Sequence, residues 1–194
     1  MPELVTALTP EQLSPAMREQ SEQAERAGRA GLAEFVRVMA HAEPLFEAYN
    51  TAYMASRMQN HLGARVTELV RLAIANTTSC RVCLAGRHPA AVAEGMDEAL
   101  VASIPLLLEG DGADAPFTPA ERAAVRFALK FGTDHLSVDD GDNAALREHF
   151  DDRQIVELAL LCTMSLMGRF SAMLGLDDLS CPVPAAAGAD TRSQ

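Results

Sequence analysis

Apolar positions recur along this chain every three or four residues, and no alternating apolar–polar pattern persists long enough to mark a strand. The pattern predicts an all-α protein of roughly seven or eight helices. Capping signals mark helix starts: Thr9, Pro10 and Gln12 form one capping box, and Thr118, Pro119 and Glu121 repeat it. A helix is expected from Pro44, with Leu45, Tyr49, Ala52 and Tyr53 roughly on one face. In residues 64–77, Val66, Leu69, Val70, Ala73 and Ile74 make an apolar stripe, with Arg65, Glu68 and Arg71 around it. Residues 79–88 are expected to be helical as well, with Pro89 either kinking that helix or tolerated in it, and Gly95 acting as a stop. Residues 109–117, rich in Gly, Asp and Pro, read as a loop. The last long helix is capped by Asp151 or Asp152 and is apolar on nearly every side from Leu158 to Met167. That places it at the centre of the molecule or in a subunit interface.

Composition narrows the class. A chain of 194 residues suits one domain with a sizeable core, and with 48% hydrophobic residues, 5% aromatics and no Trp that core is aliphatic. A formal net charge of −11 argues against nucleic acid and against an anionic membrane surface, and no Lys/Arg-rich run offsets it. The N-terminus lacks the basic and apolar regions of a signal peptide, and the apolar run 158–168 is too short to span a bilayer. A soluble cytoplasmic protein is therefore expected. In a reducing compartment its four cysteines are free, catalytic or metal-bound rather than structural disulfides.

Cys80 and Cys83 carry the candidate chemistry. On a helix they share one face with Arg87, whereas His88 is turned about 140° away from Cys83. Thr77, Thr78 and Ser79 are N-cap candidates, which would put Cys80 in a first turn where a thiolate is favoured, with a fixed positive charge from Arg87 on the same face. Three readings stand side by side: half a zinc knuckle, a redox dithiol, or two buried inert cysteines. Zinc needs two more ligands at sensible spacing; Cys162 and Cys181 are far downstream, and His41, His61, His135 and His149 form no paired spacing. Cys162 reads as core and Cys181 as an exposed thiol near a loose tail. Glu68, taken alone, is a solvated helix residue paired with Arg71 or Arg65.

Spacing changes the standing of Glu68, which lies twelve residues before Cys80. The stretch ELVRLAIANTTSCRVCLAGRHPAAVAEGMDE, residues 68–98, resembles the carboxymuconolactone decarboxylase-like superfamily, specifically its alkylhydroperoxidase D-type members. Their motif is a Glu, eleven residues, Cys-x-x-Cys, three residues and a His, and Glu68, Cys80 and Cys83 match it in identity and spacing. The motif His falls at Arg87, and His88 is one residue late. Arginine can stabilise a thiolate but cannot shuttle a proton at neutral pH, which leaves Glu68 as the evident base. The later stretches FTPAERAAVRFALKF and LREHFDDRQIVELALLCTMSLMGRFSAMLGLD are also similar to family members.

The resemblance implies a single-domain helical bundle of the alkylhydroperoxidase D-like type, oligomeric and often trimeric or hexameric. It divides the chain into an N-terminal helical extension at 1–33, the family domain at 34–180 and a flexible tail at 181–194. It implies a dithiol-dependent alkyl hydroperoxidase or disulfide reductase with no metal, flavin or other cofactor, whose site is Cys80, Cys83, Glu68 and Arg87. The expected partners are a peroxide substrate and an external dithiol or thiol-protein reductant, with no nucleic acid and no membrane. Cys80 is expected to face the partner and Cys83 to lie deeper. The alternatives are a non-catalytic helical oligomer and a carboxymuconolactone-type decarboxylase, although an acidic chain with no obvious cationic pocket suits an anionic substrate poorly.

Overall fold

The computed structural model describes residues 4–109 and 115–176. Within them run twelve α-helices and no strand: α1 (Pro15–Arg26), α2 (Ala30–Met39), α3 (Glu43–Met58), α4 (Ala64–Thr77), α5 (Arg81–Leu84), α6 (Pro89–Ala93), α7 (Glu98–Ala102), α8 (Leu106–Glu109), α9 (Pro119–Thr133), α10 (Asp140–His149), α11 (Asp152–Ser165) and α12 (Gly168–Met173). The chain is an all-α, single-domain helical bundle. Part of the expected 109–117 loop, and the tail with Cys181, lie outside the described residues.

Helix starts follow the capping chemistry. Thr118 Oγ1 accepts from Glu121 N at 3.2 Å while Glu121 Oε2 accepts from Thr118 N at 2.8 Å. Asp151 and Gln154 close the same reciprocal box at the head of α11. At Thr9 the signal yields only a 3-10 turn, Pro10–Gln12, with Gln12 Oε1 accepting from Thr9 N at 2.9 Å. Ser14, followed by Pro15, caps the helix that comes next.

The helix count exceeds the expectation because residues 79–109 break into four short helices. Pro89 neither kinks a helix nor sits inside one. It opens α6, with His88 as N-cap accepting from Ala90 N at 3.2 Å. Gly95, at φ 85°, then reverses the chain after α6.

The central helix is α4, not the apolar α11. Every residue from Thr67 to Ala75 is buried, with α9 and α11 packed along it. In α11 Leu158, Leu161 and Cys162 are buried, while Val156 and Leu160 remain 58% and 51% exposed. Taken together, α11 and α12 form the stretch Asp152–Met173, which contains an 18-residue window of mean hydropathy 1.4 and is long and apolar enough by composition to cross a membrane, which 158–168 alone is not. Here one side of it packs on α3, α4 and α9.

Two apolar clusters result. The larger joins α4, α9, α10 and α11 through residues such as Leu69, Leu72, Leu129, Leu158 and Leu161, and is mainly aliphatic as the composition requires. The smaller gathers Met17, Phe35, Val36 and Phe46 from α1–α3 around Cys80 and Val82. Aromatic side chains thus collect beside the cysteines.

Where α9 crosses the end of α4, only glycine fits. A Cβ at Gly132 would collide with Thr77 Oγ1 and stand 3.1 Å from both Thr77 Cβ and Cγ2. Gly132→Ala is expected to lower stability by about 1–3 kcal/mol through overpacking. A thermal melt that is unmoved would show that α9 can retreat without loss.

Candidate active site

The cysteines follow directly from the way α4 ends. Ser79 N–H bonds Asn76 O at 3.2 Å and Cys80 N–H bonds Ala75 O at 3.1 Å, the paired bonds of a Schellman cap. The left-handed position in that cap, usually glycine, is Ser79 at φ 52°. The chain thereby turns sharply, and Cys80 itself becomes the N-cap of α5, its Sγ accepting from Cys83 N at 3.2 Å. Thr77 and Thr78 do not cap α5; their hydroxyls donate back to Ile74 O. Cys80 and Cys83 form a disulfide, with Cα atoms 5.2 Å apart.

A helix of four residues cannot sustain itself, because its carbonyls have almost no partners of their own. Arginines supply them. Val82 O accepts from Arg29 at 2.8 Å, Cys83 O from Arg71 at 2.6 Å and Leu84 O from Arg87 at 2.6 Å. Gly86 O accepts from both Arg71 and Arg87, at 3.0 and 2.9 Å. The expected helix over 79–88 is thus replaced by one turn with its end tied down, and Arg87 is not on a helical stripe with the cysteines. Its remaining bonds reach Glu98, at 2.9 and 2.8 Å.

Glu68 is not a solvated residue; it is 1% exposed. Arg71 grips it as a fork, Nε to Oε2 at 2.8 Å and Nη2 to Oε1 at 2.7 Å. Arg57 donates to Oε2 at 3.1 Å and the His88 backbone N–H to Oε1 at 3.0 Å. Each carboxylate oxygen therefore receives two donors. Arg65, the other partner considered, bonds Glu121 at 2.5 Å instead. Burial pushes the Glu68 carboxyl up, but the hydrogen bonds and charges of Arg71 and Arg57 and the His88 N–H outweigh it and hold it below its ordinary value.

A cavity of about 550 Å³ connects these groups, with Glu68, Arg57, Arg71, Cys83 and Arg87 on its wall. Cys80 is absent from that wall and fully buried, whereas Cys83 is partly exposed, so the expected depths of the two cysteines are reversed. A smaller hollow of about 130 Å³, lined by Asn60, Thr67 and His88 among others, also reaches Glu68. Gly168 closes over the disulfide. A Cβ there would lie 2.9 Å from Thr78 Oγ1, 3.0 Å from Cys80 Cβ and 3.2 Å from Cys83 Sγ. Among the described residues no three His, Cys, Asp or Glu side chains gather as a metal site, and Cys162 is buried in the core.

No family model and no curated protein matches the sequence. Solved structures do. An uncharacterised peroxidase-related protein from Ralstonia eutropha JMP134, with an alkylhydroperoxidase AhpD core, is 22% identical over 90% of each chain, at a TM-score of 0.62. The debrominase Bmp8, in a Cys→Ala variant complexed with 2,3,4-tribromopyrrole, is 16% identical, covering 94% of this chain and 95% of its own, at a TM-score of 0.69. A peroxidase-related protein from Silicibacter sp. TM1040 is 18% identical, covering 90% and 92%, at 0.54. The chain has the alkylhydroperoxidase D-like fold. On this AhpD-like scaffold a Cys-x-x-Cys pair at disulfide distance, open to a cavity on one side, supports a thiol-based redox mechanism.

Sequence spacing brought Glu68, Cys80 and Cys83 together and offered Arg71 as one of two ion-pair partners for Glu68, the one the structure shows, but it gave Arg71 no part in the site and did not consider Arg57. Their signals were present: Arg71 follows Glu68 by three residues, and Arg57 continues the Tyr49, Tyr53 face at four-residue spacing. Nothing in the sequence marked Gly168.

The Glu68–Arg71 pair generates a prediction with a defined sign. A carboxyl held below its ordinary value of 4.5 contributes stability above that pH and loses it as pH falls through the lowered value. Glu68→Gln leaves the Arg71 charge buried and unpaired, so the variant should be about 3–5 kcal/mol less stable at pH 7. The gap should narrow as the pH falls below 4.5. Urea unfolding at several pH values measures both, and a constant gap would remove Glu68 ionisation from the explanation.

Proposed function

We propose that this protein is a dithiol-dependent peroxidase that reduces organic hydroperoxides through Cys83 and Cys80. The observation that carries the reading is the asymmetry of the pair: Cys83 lines a cavity large enough for an organic substrate, and Cys80 is sealed behind it. In the reduced protein, the Cys83 thiolate attacks the terminal oxygen of ROOH. An S–O bond forms, the O–O bond breaks, and RO⁻ leaves to take up a proton as ROH. The Cys80 thiol then attacks the Cys83 sulfenic sulfur; the S–O bond breaks, the departing hydroxide takes the Cys80 thiol proton, and water leaves the Cys80–Cys83 disulfide behind. The two electrons that reduced the peroxide come from the two thiols. An external dithiol or thiol protein restores them by attacking the accessible Cys83 sulfur. The Cys80 thiolate leaves, eased by the Cys83 N–H that already points at its sulfur.

Glu68 takes the Cys83 thiol proton and passes it to RO⁻. With every lone pair engaged, it accepts a proton as Arg57 releases Oε2, the one contact made by a side chain that is 20% exposed. Arg71 is a positioning residue, fixing the Cys83 carbonyl. Arg87 also positions, and its charge at the cavity wall favours the thiolate without moving a proton. The protein acts in the cytoplasm as a homo-oligomer in this reading.

A second reading has a specific observation behind it. The debrominase Bmp8 has the same fold and binds a halogenated aromatic ring. In that case the reduced pair would expel halide from an aromatic substrate, the two thiols supplying the electrons and a proton replacing the halogen.

Stopped-flow mixing of reduced protein with cumene hydroperoxide tests the peroxidase. Cys83→Ser should abolish its consumption. Cys80→Ser should complete one turnover and stop as a sulfenic acid that dimedone traps, detected by mass. If Cys80→Ser instead cycles like the parent with a dithiol, the disulfide lies off the path. For Arg87, the pH profile of iodoacetamide alkylation of the reduced protein should move to higher pH in Arg87→Met and return part-way in Arg87→Lys. An unmoved profile would confine Arg87 to tethering α5 and Glu98.

A further inference from the structure

Charge is distributed unevenly in this molecule. The chain carries −11 overall, yet the cavity wall holds Arg29, Arg57, Arg71 and Arg87 against one carboxylate, Glu68, a net of three positive charges. The sequence-based expectation that an acidic chain suits an anionic substrate poorly does not hold at this site. Arg71 and Arg57 share Glu68, and Glu98, which pairs with Arg87, stands outside the wall.

The opposite character lines the rest of the wall. Phe35 and Phe46 meet edge to face at 5.9 Å, Phe46 stacks with Tyr49 at 6.3 Å and Tyr49 with Tyr53 at 5.8 Å. The Arg57 guanidinium lies over Tyr53 at 5.6 Å. This ladder of four rings runs directly to a cation, all on cavity-lining residues. Two polar groups of the same wall have no hydrogen-bond partner although they are buried: Arg57 Nε and Ser165 Oγ. Ser165 is only 7% exposed. Buried donors without acceptors are costly unless something satisfies them, and an anionic oxygen does so for both kinds.

We propose that the cavity is a binding site for a small aromatic anion, its ring against the Phe46–Tyr49–Tyr53 wall and its anionic oxygens on Arg57 and Ser165. The inference deepens the redox reading, since it names the class of molecule brought to Cys83. Hydrogen peroxide needs neither the volume nor the rings, whereas about 550 Å³ falls in the range of pockets that enclose small organic ligands. The charged group supplies orientation and the ring wall supplies apolar contact.

The test uses binding to the oxidised, full-length protein, where no turnover occurs. The probes are benzoate, phenyl phosphate, hexanoate and benzyl alcohol, titrated by calorimetry. Location is read from tyrosine emission, which in a chain with no Trp and two Tyr arises only from Tyr49 and Tyr53. Benzoate or phenyl phosphate should bind about tenfold more tightly than benzyl alcohol and than hexanoate, and should perturb the emission. Arg57→Met, with an unchanged thermal melt, should weaken benzoate about tenfold, and Ser165→Ala about threefold, leaving benzyl alcohol unaffected. Equal binding of benzoate and benzyl alcohol would overturn the anion site, and equal binding of benzoate and hexanoate the aromatic one. Should Arg57→Met not fold, the Ser165→Ala series and the probe comparison decide alone. Anion binding without peroxide turnover would sink the peroxidase and leave this site standing; turnover without anion binding would do the reverse.

Discussion

The buried fork between Arg71 and Glu68 is the interaction on which the rest of the site depends. Both residues come from the central helix α4, both are at least nine-tenths buried, and neither charge has water to fall back on. Such a pair is a poor source of net stability, since desolvation offsets much of its attraction. Its value is geometric. With its Nε and one Nη2 hydrogen committed to Glu68, Arg71 still directs two more bonds across to Cys83 O and Gly86 O. The rigid core thus reaches out and fixes the short turn that carries the cysteines.

That tether explains why so small an element can hold a reactive pair. The turn of α5 is entered through a left-handed serine and left through carbonyls held by three arginines from different parts of the chain. Entry and exit together decide the asymmetry of the sulfurs: the cap position turns Cys80 into the core, and one further turn brings Cys83 to the cavity. They also decide what Arg87 can do. It reaches carbonyls and Glu98, so it offers a constant charge and a constraint, where the motif histidine of the resembling family would offer a proton. Under the proposed mechanism the proton of the attacking thiol passes through Glu68, which faces both hollows.

Much of the frame was legible in the sequence. Helical period and capping boxes gave α9 and α11 their starts, and the spacing of Glu68 to Cys80 and Cys83 singled out three groups that fold around one centre. The misreadings have a common physical origin. Periodicity assumes a continuous helix, and over 79–88 that assumption moved Arg87 onto the wrong face and Cys80 to the surface. The backbone there is set by Ser79 and by distant guanidiniums, which local pattern does not register. Apolarity assigned α11 to the centre or to a subunit interface; within one chain the centre belongs to α4, which is the more deeply buried although Glu68 and Arg71 lie in it. A buried ion pair disguises a central helix as an amphipathic one. Gly168 left no trace, because its need for a bare Cα arises only where α12 meets the disulfide.

The same logic applies to charge. Net charge is a property of the surface and acts on an approaching ion out to roughly a Debye length, about 8–10 Å at ordinary salt, beyond which it is screened. At that range an acidic protein repels anions. Within the cavity the balance is set by the wall, where arginines outnumber carboxylates and the walls are apolar, so the local field is strong and little screened. An anion therefore meets opposing fields on its way in. Salt weakens the outer repulsion more than the inner grip, so moderate ionic strength speeds its entry while loosening its hold only slightly. A neutral hydroperoxide experiences neither effect. Arg29, Arg71 and Arg87, which brace the cysteine turn, consequently share the cavity wall with Arg57 and add to its positive charge, so removing one of them for the sake of the first role also changes the field an anion meets.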